Sequence, residues 1–301
     1  MSGRNLRHWS VCAAIAMLAA SAVSGAAQRG LQKSIFVGVL DENGKPLTDL
    51  AINEFAIRED NADRQIVAVK PPSQPISVAV LIDTAQGKRV TDAYGTAEEY
   101  TRDLRVAASA FAKRLLTQSP DAQVSLIEFG QAAIVMVPFT PNPMEFEKGV
   151  NRLVVRPDVG SVLFEALAQA NSDLGKRPSS RRAIVSLNLE PSDEQSREEP
   201  NKVKAGFGIS LAQLWAVSVQ RGGLKNSKRD LVLNDFAKYS GGKRDFVVGI
   251  SAVENIMKGY ADALAAQYEI VYERPENAKN IKVVQVGTTR GKIHASGFAP
   301  Q

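Results

Sequence analysis

The chain has 301 residues, 44% of them hydrophobic and 23% charged, enough apolar side chains for one large or two modest folded domains. This composition excludes an intrinsically disordered chain and a polytopic membrane protein. The formal net charge of +5 is a mild excess that does not by itself indicate nucleic-acid binding. One Cys and two His leave almost no material for a zinc site, a disulfide framework or Ser–His–Asp catalysis.

Residues 1–27 have the layout of a cleavable signal peptide. Two arginines precede an uncharged run from Trp9 to Val23, and four small residues follow it. The alternative, a membrane anchor, needs about 20 strongly apolar residues, whereas this run is short and rich in alanine. The pattern therefore predicts a secreted or periplasmic protein whose mature chain starts near Gln28 and has no membrane span.

Short strand-like segments flank a longer middle part. The N-terminal part, residues 28–73, contains such segments at 34–40, 53–58 and 65–70, and the C-terminal part, residues 267–301, contains others at 267–272, 281–286 and 292–296. A sheet needs about three strands and a covered face to be stable. We therefore expect the two terminal parts to pack together as a small β-sandwich.

The middle part, residues 74–266, alternates strands and helices. Residues 76–83 are a nearly continuous apolar run, as expected of a strand that is buried on both faces of a parallel sheet. Further strand-like and helical segments follow, and capping boxes at 96–99 and 251–254 predict the starts of two helices. The sequence thus predicts an α/β fold with a doubly wound, mostly parallel sheet, inserted in or flanked by the sandwich. Ligands of such sheets meet the loops at the carboxyl ends of the strands.

Several linked motifs resemble a von Willebrand factor A (VWFA) domain. They are ISVAVLID at 76–83, VSLIEFG and VMVPFT within 124–140, GSVLFEAL at 160–167 and RRAIVSL at 181–187. The terminal segments FVGVLDENGKPLTDLAINEFAIREDN (36–61) and QYEIVYERP (267–275) resemble the VWFA-related domain of secreted proteins common in Acidobacteria. The resemblance implies a Rossmann-like α/β fold and a role in protein–protein interaction or adhesion.

The resemblance also implies a metal-ion-dependent adhesion site (MIDAS), at which Mg²⁺ binds a carboxylate of the partner. The family motif D-x-S-x-S falls on residues 83–87, where Asp83 is retained but Ala85 and Gly87 replace the serines. Ser161 keeps a hydroxyl at the family's threonine position, and the family's later acid falls on Leu189. Because Mg²⁺ requires near-ideal oxygen geometry, this degenerate remnant predicts no bound metal and no cofactor. Asp83 is then expected to hydrogen-bond its own loop.

An alternative set of metal ligands stays open. Glu190, Asp193 or Glu194 follows the predicted fourth strand of the domain, and any of them is a candidate substitute carboxylate. A Mg²⁺-dependent adhesin that uses Asp83, Ser161 and one of these acids is therefore the second functional hypothesis.

Basic residues lie in the loops that would surround the metal. They form either a solvated surface or a set of fixed cations that replaced the metal ion and binds an acidic partner. The candidate partner-binding residues are Lys88, Arg89, Arg221 and Lys225, with Lys228 and Arg229 beside the last two.

The favoured hypothesis is a secreted or periplasmic protein-interaction module that is non-catalytic and metal-independent. Its partner is expected to be a protein, because the basic residues lack the interleaved aromatic residues typical of nucleic-acid binding. An enzyme is disfavoured, since the mature chain would have no Cys and only one His, His294.

Overall fold

A computed structural model describes residues 30–87, 96–190, 192–220, 226–276 and 284–295. The predicted signal peptide lies outside the described residues. No helix of the described part of the chain is both long enough and apolar enough to cross a membrane.

The described residues form strands and helices that alternate through the middle of the chain. The strands are β1 (Leu31–Leu40), β2 (Phe55–Glu59), β3 (Ala62–Arg64), β4 (Ile66–Lys70), β5 (Ser77–Asp83), β6 (Ala85–Gln86), β7 (Gln123–Phe129), β8 (Ala133–Thr140), β9 (Arg156–Pro157), β10 (Arg182–Glu190), β11 (Gln213–Gln220), β12 (Lys243–Val247), β13 (Tyr268–Arg274), β14 (Val284–Thr288) and β15 (Lys292–Ala295). The helices are α1 (Ala97–Gln118), α2 (Pro143–Val150), α3 (Leu163–Gly175), α4 (Pro200–Ser210), α5 (Ser227–Ser240) and α6 (Val253–Ala265).

A six-stranded central sheet has the order β12-β11-β10-β5-β7-β8. Its neighbouring strands run parallel, except that β8 is antiparallel to β7. Every residue of β5 is buried, as expected of a strand at the centre of a sheet with both faces covered. This topology confirms the predicted doubly wound, mostly parallel α/β fold.

The two faces of the central sheet bury separate apolar cores. Alternate residues of β5 point to opposite sides, so Val80 packs in one core and Leu81 in the other. The first core includes side chains of α1, α2 and α6, among them Phe111 and Met257. The second includes side chains of α3, α4 and α5, among them Phe164. The sheet is therefore fixed between two helical layers, which holds the carboxyl ends of its strands in place.

The strands from the two ends of the chain share sheets. One sheet has the order β15-β1-β13-β4 and another the order β14-β2-β3, so each contains strands from both ends of the chain. Strand β1 pairs antiparallel with β13, with Ile35 opposite Ile270. A third apolar core that includes Val37, Ile57 and Tyr272 contains residues of both sheets. The flanking β-sandwich of the predicted fold class is thus formed by strands from both ends. The domain boundaries near residues 74 and 266 stay a prediction.

The structure contains helices and a strand that the sequence analysis missed. Helix α2 has only eight residues, and α4 contains Gly206 and Gly208, which lower its helix propensity. Strand β3 lies in the polar stretch between the strand-like segments at 53–58 and 65–70. These elements are stabilised by packing against their neighbours, which local sequence patterns report poorly.

One of the two predicted capping boxes is wrong. At α1, the Thr96 hydroxyl accepts a hydrogen bond from the Glu99 amide at 3.2 Å and the Glu99 carboxylate accepts from the Thr96 amide at 2.9 Å, which confirms that box. At α6, a 3-10 turn over Ile250–Ala252 precedes the helix, whose N-cap is Ala252 and makes no side-chain cap. The turn takes up Ser251, and its hydroxyl therefore does not cap the helix.

Candidate functional site

A cluster of charged side chains lies at the carboxyl edge of the central sheet. Asp83 is the last residue of β5 and Glu190 the last residue of β10, and parallel strands end at the same edge of a sheet. The segment after β10 supplies Glu194, and the first turn of α5 supplies Arg229. The side chains of all four residues are at most 1% exposed.

Asp83 holds the surrounding backbone and pairs with the arginine. Its Oδ1 accepts a hydrogen bond from the Ala85 amide at 3.1 Å. Its Oδ2 accepts one from the Leu189 amide at 3.1 Å and one from Arg229 Nη2 at 2.7 Å. Both carboxylate oxygens of Asp83 are therefore engaged within the protein.

The guanidinium of Arg229 lies between three carboxylates. Besides its bond to Asp83, it donates from Nη1 to the Leu189 carbonyl at 3.2 Å. Its Nε lies 3.4 Å from Glu194 Oε2 and 3.8 Å from Glu190 Oε1, and none of these three atoms has a hydrogen-bond partner. The cluster thus holds more negative than positive charge and leaves three buried polar atoms without hydrogen bonds.

Local structure aims Arg229 into the cluster. Asn226 is the N-cap of α5, and its Oδ1 accepts from the amides of Lys228 and Arg229, both at 3.1 Å. The Asn226 amide in turn donates to Glu190 Oε2 at 3.2 Å. A cation in the first turn of a helix is unfavourable with respect to the helix dipole. The carboxylates around Arg229 compensate for this unfavourable interaction with the helix dipole.

Burial and charge shift the pKa values of the cluster in different directions. Burial raises the pKa of Asp83 to about 6, although the charge of Arg229 opposes the shift. Burial likewise raises the pKa of Glu194, again against the effect of Arg229. Burial alone would lower the pKa of Arg229, but the charges of the three carboxylates outweigh it and raise that pKa. Arg229 stays charged, whereas the raised pKa values of Asp83 and Glu194 favour their protonated forms.

A polar segment covers the cluster. We call residues 192–198 the strap. Ser161 fixes it as in a parallel β-bridge, because its amide donates to the Asp193 carbonyl at 2.9 Å and its carbonyl accepts from the Gln195 amide at 2.8 Å. The Ser192 hydroxyl donates to the Ala85 carbonyl at 2.7 Å. The Ser161 hydroxyl is itself buried and has no hydrogen-bond partner.

The oxygen set at this edge does not fit a Mg²⁺ site. Ala85 and Gly87 offer no side-chain oxygen, and the side chain of Leu189 packs in the first apolar core. The guanidinium of Arg229 takes up Asp83 Oδ2, so a divalent cation beside that oxygen would face a fixed positive charge. Within the described ranges, no three His, Cys, Asp or Glu side chains are grouped so that they could hold a metal ion.

The structure brings some of the sequence-predicted residues together. Glu190 and Glu194, candidates for a substitute metal ligand, approach Arg229, whereas Asp193 is exposed and contributes its backbone carbonyl. The four candidate partner-binding residues lie outside the described residues; they are Lys88, Arg89, Arg221 and Lys225.

Arg229 is the residue of the candidate site that the sequence pattern does not single out. Its charge places it among the basic residues of the loops, for which a solvated surface is one interpretation, but its side chain is fully buried. Its position three residues after a capping Asn was the available signal. Charge alone does not tell a buried arginine from an exposed one.

Comparisons with known proteins agree with the sheet topology. Residues 80–187 match the family model described as von Willebrand factor type A domain. No curated protein matches the chain. Among solved structures, the chain is similar to proximal thread matrix protein 1 from the mussel byssus with a zinc-occupied MIDAS motif, at 11% identity and a TM-score of 0.50. That alignment covers 66% of this chain and 48% of the mussel protein, so the chain spans about half of its length.

Two further solved structures show weaker likeness. A von Willebrand factor type A protein from Catenulispora acidiphila is 12% identical with a TM-score of 0.48, over 92% of this chain and 76% of that one. A variant of the PilB minor pilin from Streptococcus sanguinis is 12% identical with a TM-score of 0.49, over 65% of this chain and 62% of that one. The family match and the observed order of strands lead to one conclusion: this protein contains a von Willebrand factor type A domain, to which residues 80–187 belong.

Proposed function

We propose that the protein is a secreted or periplasmic protein-interaction module that is non-catalytic and works without a metal ion. The observation that carries this proposal is the guanidinium of Arg229, 2.7 Å from Asp83 Oδ2, where the motif of the family has a metal ligand. A fixed guanidinium supplies a permanent positive charge that can receive a carboxylate and that no chelator removes.

Further observations support secretion, a non-catalytic role and an acidic partner. Secretion is supported by the signal-like pattern of residues 1–27. A non-catalytic role is supported by the chemistry of the cluster, which pairs carboxylates with an arginine and brings in no Cys or His from the described residues. The basic residues Lys88 and Arg89 would then speed association with an acidic protein partner through long-range attraction.

A metal titration tests the proposal. Calorimetric titration of the full chain with Mg²⁺ is expected to give no binding heat. A protein captured by the immobilised chain from the extracytoplasmic fraction of its host should stay bound in EDTA and elute with salt. Tight Mg²⁺ binding by the unaltered chain, or loss of the partner on chelation, would overturn metal independence.

Rebuilding the family's oxygen set sharpens the test. The variant A85S/G87S/L189D restores the missing oxygens but leaves Arg229 on Asp83, so we expect it to bind no Mg²⁺. Adding Arg229→Ala removes the fixed cation, and this fourfold variant should bind Mg²⁺ measurably. If the threefold variant binds as well as the fourfold one, Arg229 does not take the place of the ion.

One observation favours the alternative, a Mg²⁺-dependent adhesin. Buried oxygens of Ser161, Glu190 and Glu194 lack hydrogen-bond partners, and oxygens of this kind are ligands for Mg²⁺. This alternative requires Arg229 to leave the cluster. The titration of the unaltered chain decides between the two functions.

A further inference from the structure

We propose that Glu194 is an internal occupant of a carboxylate-binding site centred on Arg229, and that an acidic side chain of a protein partner displaces it when the strap lifts. This inference rests on the proposed function, because it names the chemistry by which that function recognises its partner. The strap, residues 192–198, would then regulate binding, because the partner reaches Arg229 only after the strap has moved away.

Glu194 lies beside Arg229, but one of its carboxylate oxygens makes no hydrogen bond there. The side chain is 1% exposed, and its Oε1 accepts a hydrogen bond from the Ser196 amide at 3.0 Å. Its Oε2 has no hydrogen-bond partner although Arg229 Nε, which also has none, lies only 3.4 Å away. Removing a carboxylate oxygen from water without giving it a hydrogen bond costs free energy. Glu194 is therefore held less tightly than a carboxylate that could move into hydrogen-bonding distance.

The site keeps donors for an incoming carboxylate. Arg229 Nε and the Ser161 hydroxyl are both buried and both without partners. Ser161 is the residue whose backbone pairs with the strap at Glu194. A carboxylate that replaces Glu194 would meet a charged N–H and a hydroxyl, both of which can donate hydrogen bonds to it.

The strap is built so that it can be released. Its sequence, SDEQSRE, has no apolar side chain, so hydrophobic burial contributes little to holding it closed. Polar contacts hold it, among them the Phe164 amide donating to the Ser196 hydroxyl at 2.9 Å and the Arg197 amide donating to Glu165 Oε1 at 2.6 Å. Water can replace each of these contacts when the strap opens, and segments of this kind open at low free-energy cost.

The place that Glu194 would vacate beside Arg229 fits an acidic partner. With Glu194 removed, Arg229 retains Asp83 and Glu190, so the number of buried carboxylates falls by one. A partner carboxylate restores the original number, which makes the displacement an exchange of like groups. A cationic partner would have to approach the guanidinium itself, and we therefore do not expect one to bind here.

Binding of an acidic polypeptide tests the displacement. Fluorescently labelled poly-L-glutamate is titrated into the full-length chain and into the variants Glu194→Ala and Glu198→Ala. Glu198 is the matched control, because it belongs to the same strap but pairs with Lys202 on α4 at 2.9 Å. We expect E194A to bind poly-L-glutamate about tenfold more tightly than the unaltered chain does. This gain corresponds to an unaltered chain in which Glu194 leaves the site free in about a tenth of the molecules. E198A should bind like the unaltered chain.

A double variant and hydrogen exchange keep the test decisive. Adding Arg229→Gln to E194A should abolish the gain, which separates this site from general attraction to other basic residues. Poly-L-glutamate should also speed amide exchange of residues 192–198 in the unaltered chain. Equal affinities of E194A and E198A, or a gain that survives R229Q, would overturn the displacement. Such a result would not change whether the partner stays bound in EDTA. The displacement of Glu194 can therefore be rejected while the proposed metal-independent function stands.

Discussion

At the scale of the residue, Arg229 determines the character of the candidate site. A fully buried arginine is rare and requires compensating charge, which Asp83, Glu190 and Glu194 supply. The same four residues explain why the oxygen set does not fit a divalent ion. The side chain of Arg229 therefore both holds the three carboxylates together and makes this edge of the sheet unsuited to a divalent ion.

Removing Arg229 should destabilise the domain strongly. The variant Arg229→Ala leaves the three carboxylates without their cation, and losing one partner of a buried ion pair costs about 3–5 kcal/mol. The neighbouring Lys228 is exposed and packs over the ring of Phe164 at 5.0 Å, so Lys228→Ala should cost under about 1 kcal/mol. Urea denaturation measures both changes. Similar losses in the two variants would show that the buried ion pairs contribute little.

The raised pKa of Asp83 should make stability depend on pH. Its pKa is about 6 in the folded protein, against an ordinary value of 3.8, so the folded state binds the proton more strongly. Protonation of Asp83 therefore adds stability as the pH falls below about 6, and this gain is lost as the pH rises through about 6.

The matched variant Asp83→Asn tests this effect. The free energy of unfolding of the unaltered chain, minus that of D83N, should increase between about pH 7.5 and about pH 5. His294 titrates with the opposite sign, since burial lowers its pKa, but it is present in both proteins and cancels in the difference. A difference that falls or stays constant over this range would contradict the raised pKa.

At the scale of the element, the two helix starts show how one sequence signature leads to different structures. Thr96 and Glu99 exchange both hydrogen bonds of a capping box at the start of α1. Ser251 and Glu254 have the same spacing, but Ser251 belongs to a 3-10 turn that leads into α6. Because this turn runs up to the start of α6, the N-cap position falls on Ala252, whose methyl group cannot accept a hydrogen bond.

Substitution of the two hydroxyl residues should separate these starts. Thr96→Ala removes a real cap and should cost about 1 kcal/mol of stability. Ser251→Ala removes an exposed hydroxyl that caps no helix, so its effect should stay within about 0.5 kcal/mol. Thermal denaturation of both variants is the measurement. A loss in S251A equal to that in T96A would restore the capping box predicted from the sequence.

At the scale of the whole molecule, a buried charge cluster connects the two terminal sheets. Glu59 on β2 accepts hydrogen bonds from Arg64 Nε at 2.9 Å, from the Tyr272 hydroxyl at 2.7 Å and from Arg274 Nε at 2.8 Å. Tyr272 and Arg274 belong to β13 in the other sheet, so Glu59 ties residues that are more than 200 positions apart in the chain. Both ends of the chain are needed to build this cluster.

Removing Glu59 should loosen the terminal sheets selectively. Glu59→Ala leaves the guanidinium of Arg274 without its buried partner, a loss of about 3–5 kcal/mol. We expect faster amide exchange in β1 and β13, with little change in β5. The exposed pair of Arg58 and Asp63 provides the control, and Asp63→Ala should cost under about 1 kcal/mol. Equal acceleration in β5 would show that the sheets and the domain unfold as one unit.

The sequence by itself determined the fold class and the place of the site. The apolar run of β5 and the alternation of strands and helices required a covered parallel sheet, because uninterrupted apolar segments are stable only between two layers. The motif that ends at Asp83 marked the edge of the sheet at which the candidate site lies, and Ala85, Gly87 and Leu189 offer no oxygens where the family motif places metal ligands. These features are local or periodic, and for that reason a single sequence contains them.

Only the tertiary structure decided what took the place of those oxygens. Arg229 lies 146 positions after Asp83, and the Asn three residues before it indicates a helix start but not the burial of the arginine. Its environment depends on where α5 begins, on the carboxyl end of β10 and on the strap that folds back onto Ser161. The burial of a charge is a property of the assembled surroundings, since the same arginine on an exposed helix turn would be solvated.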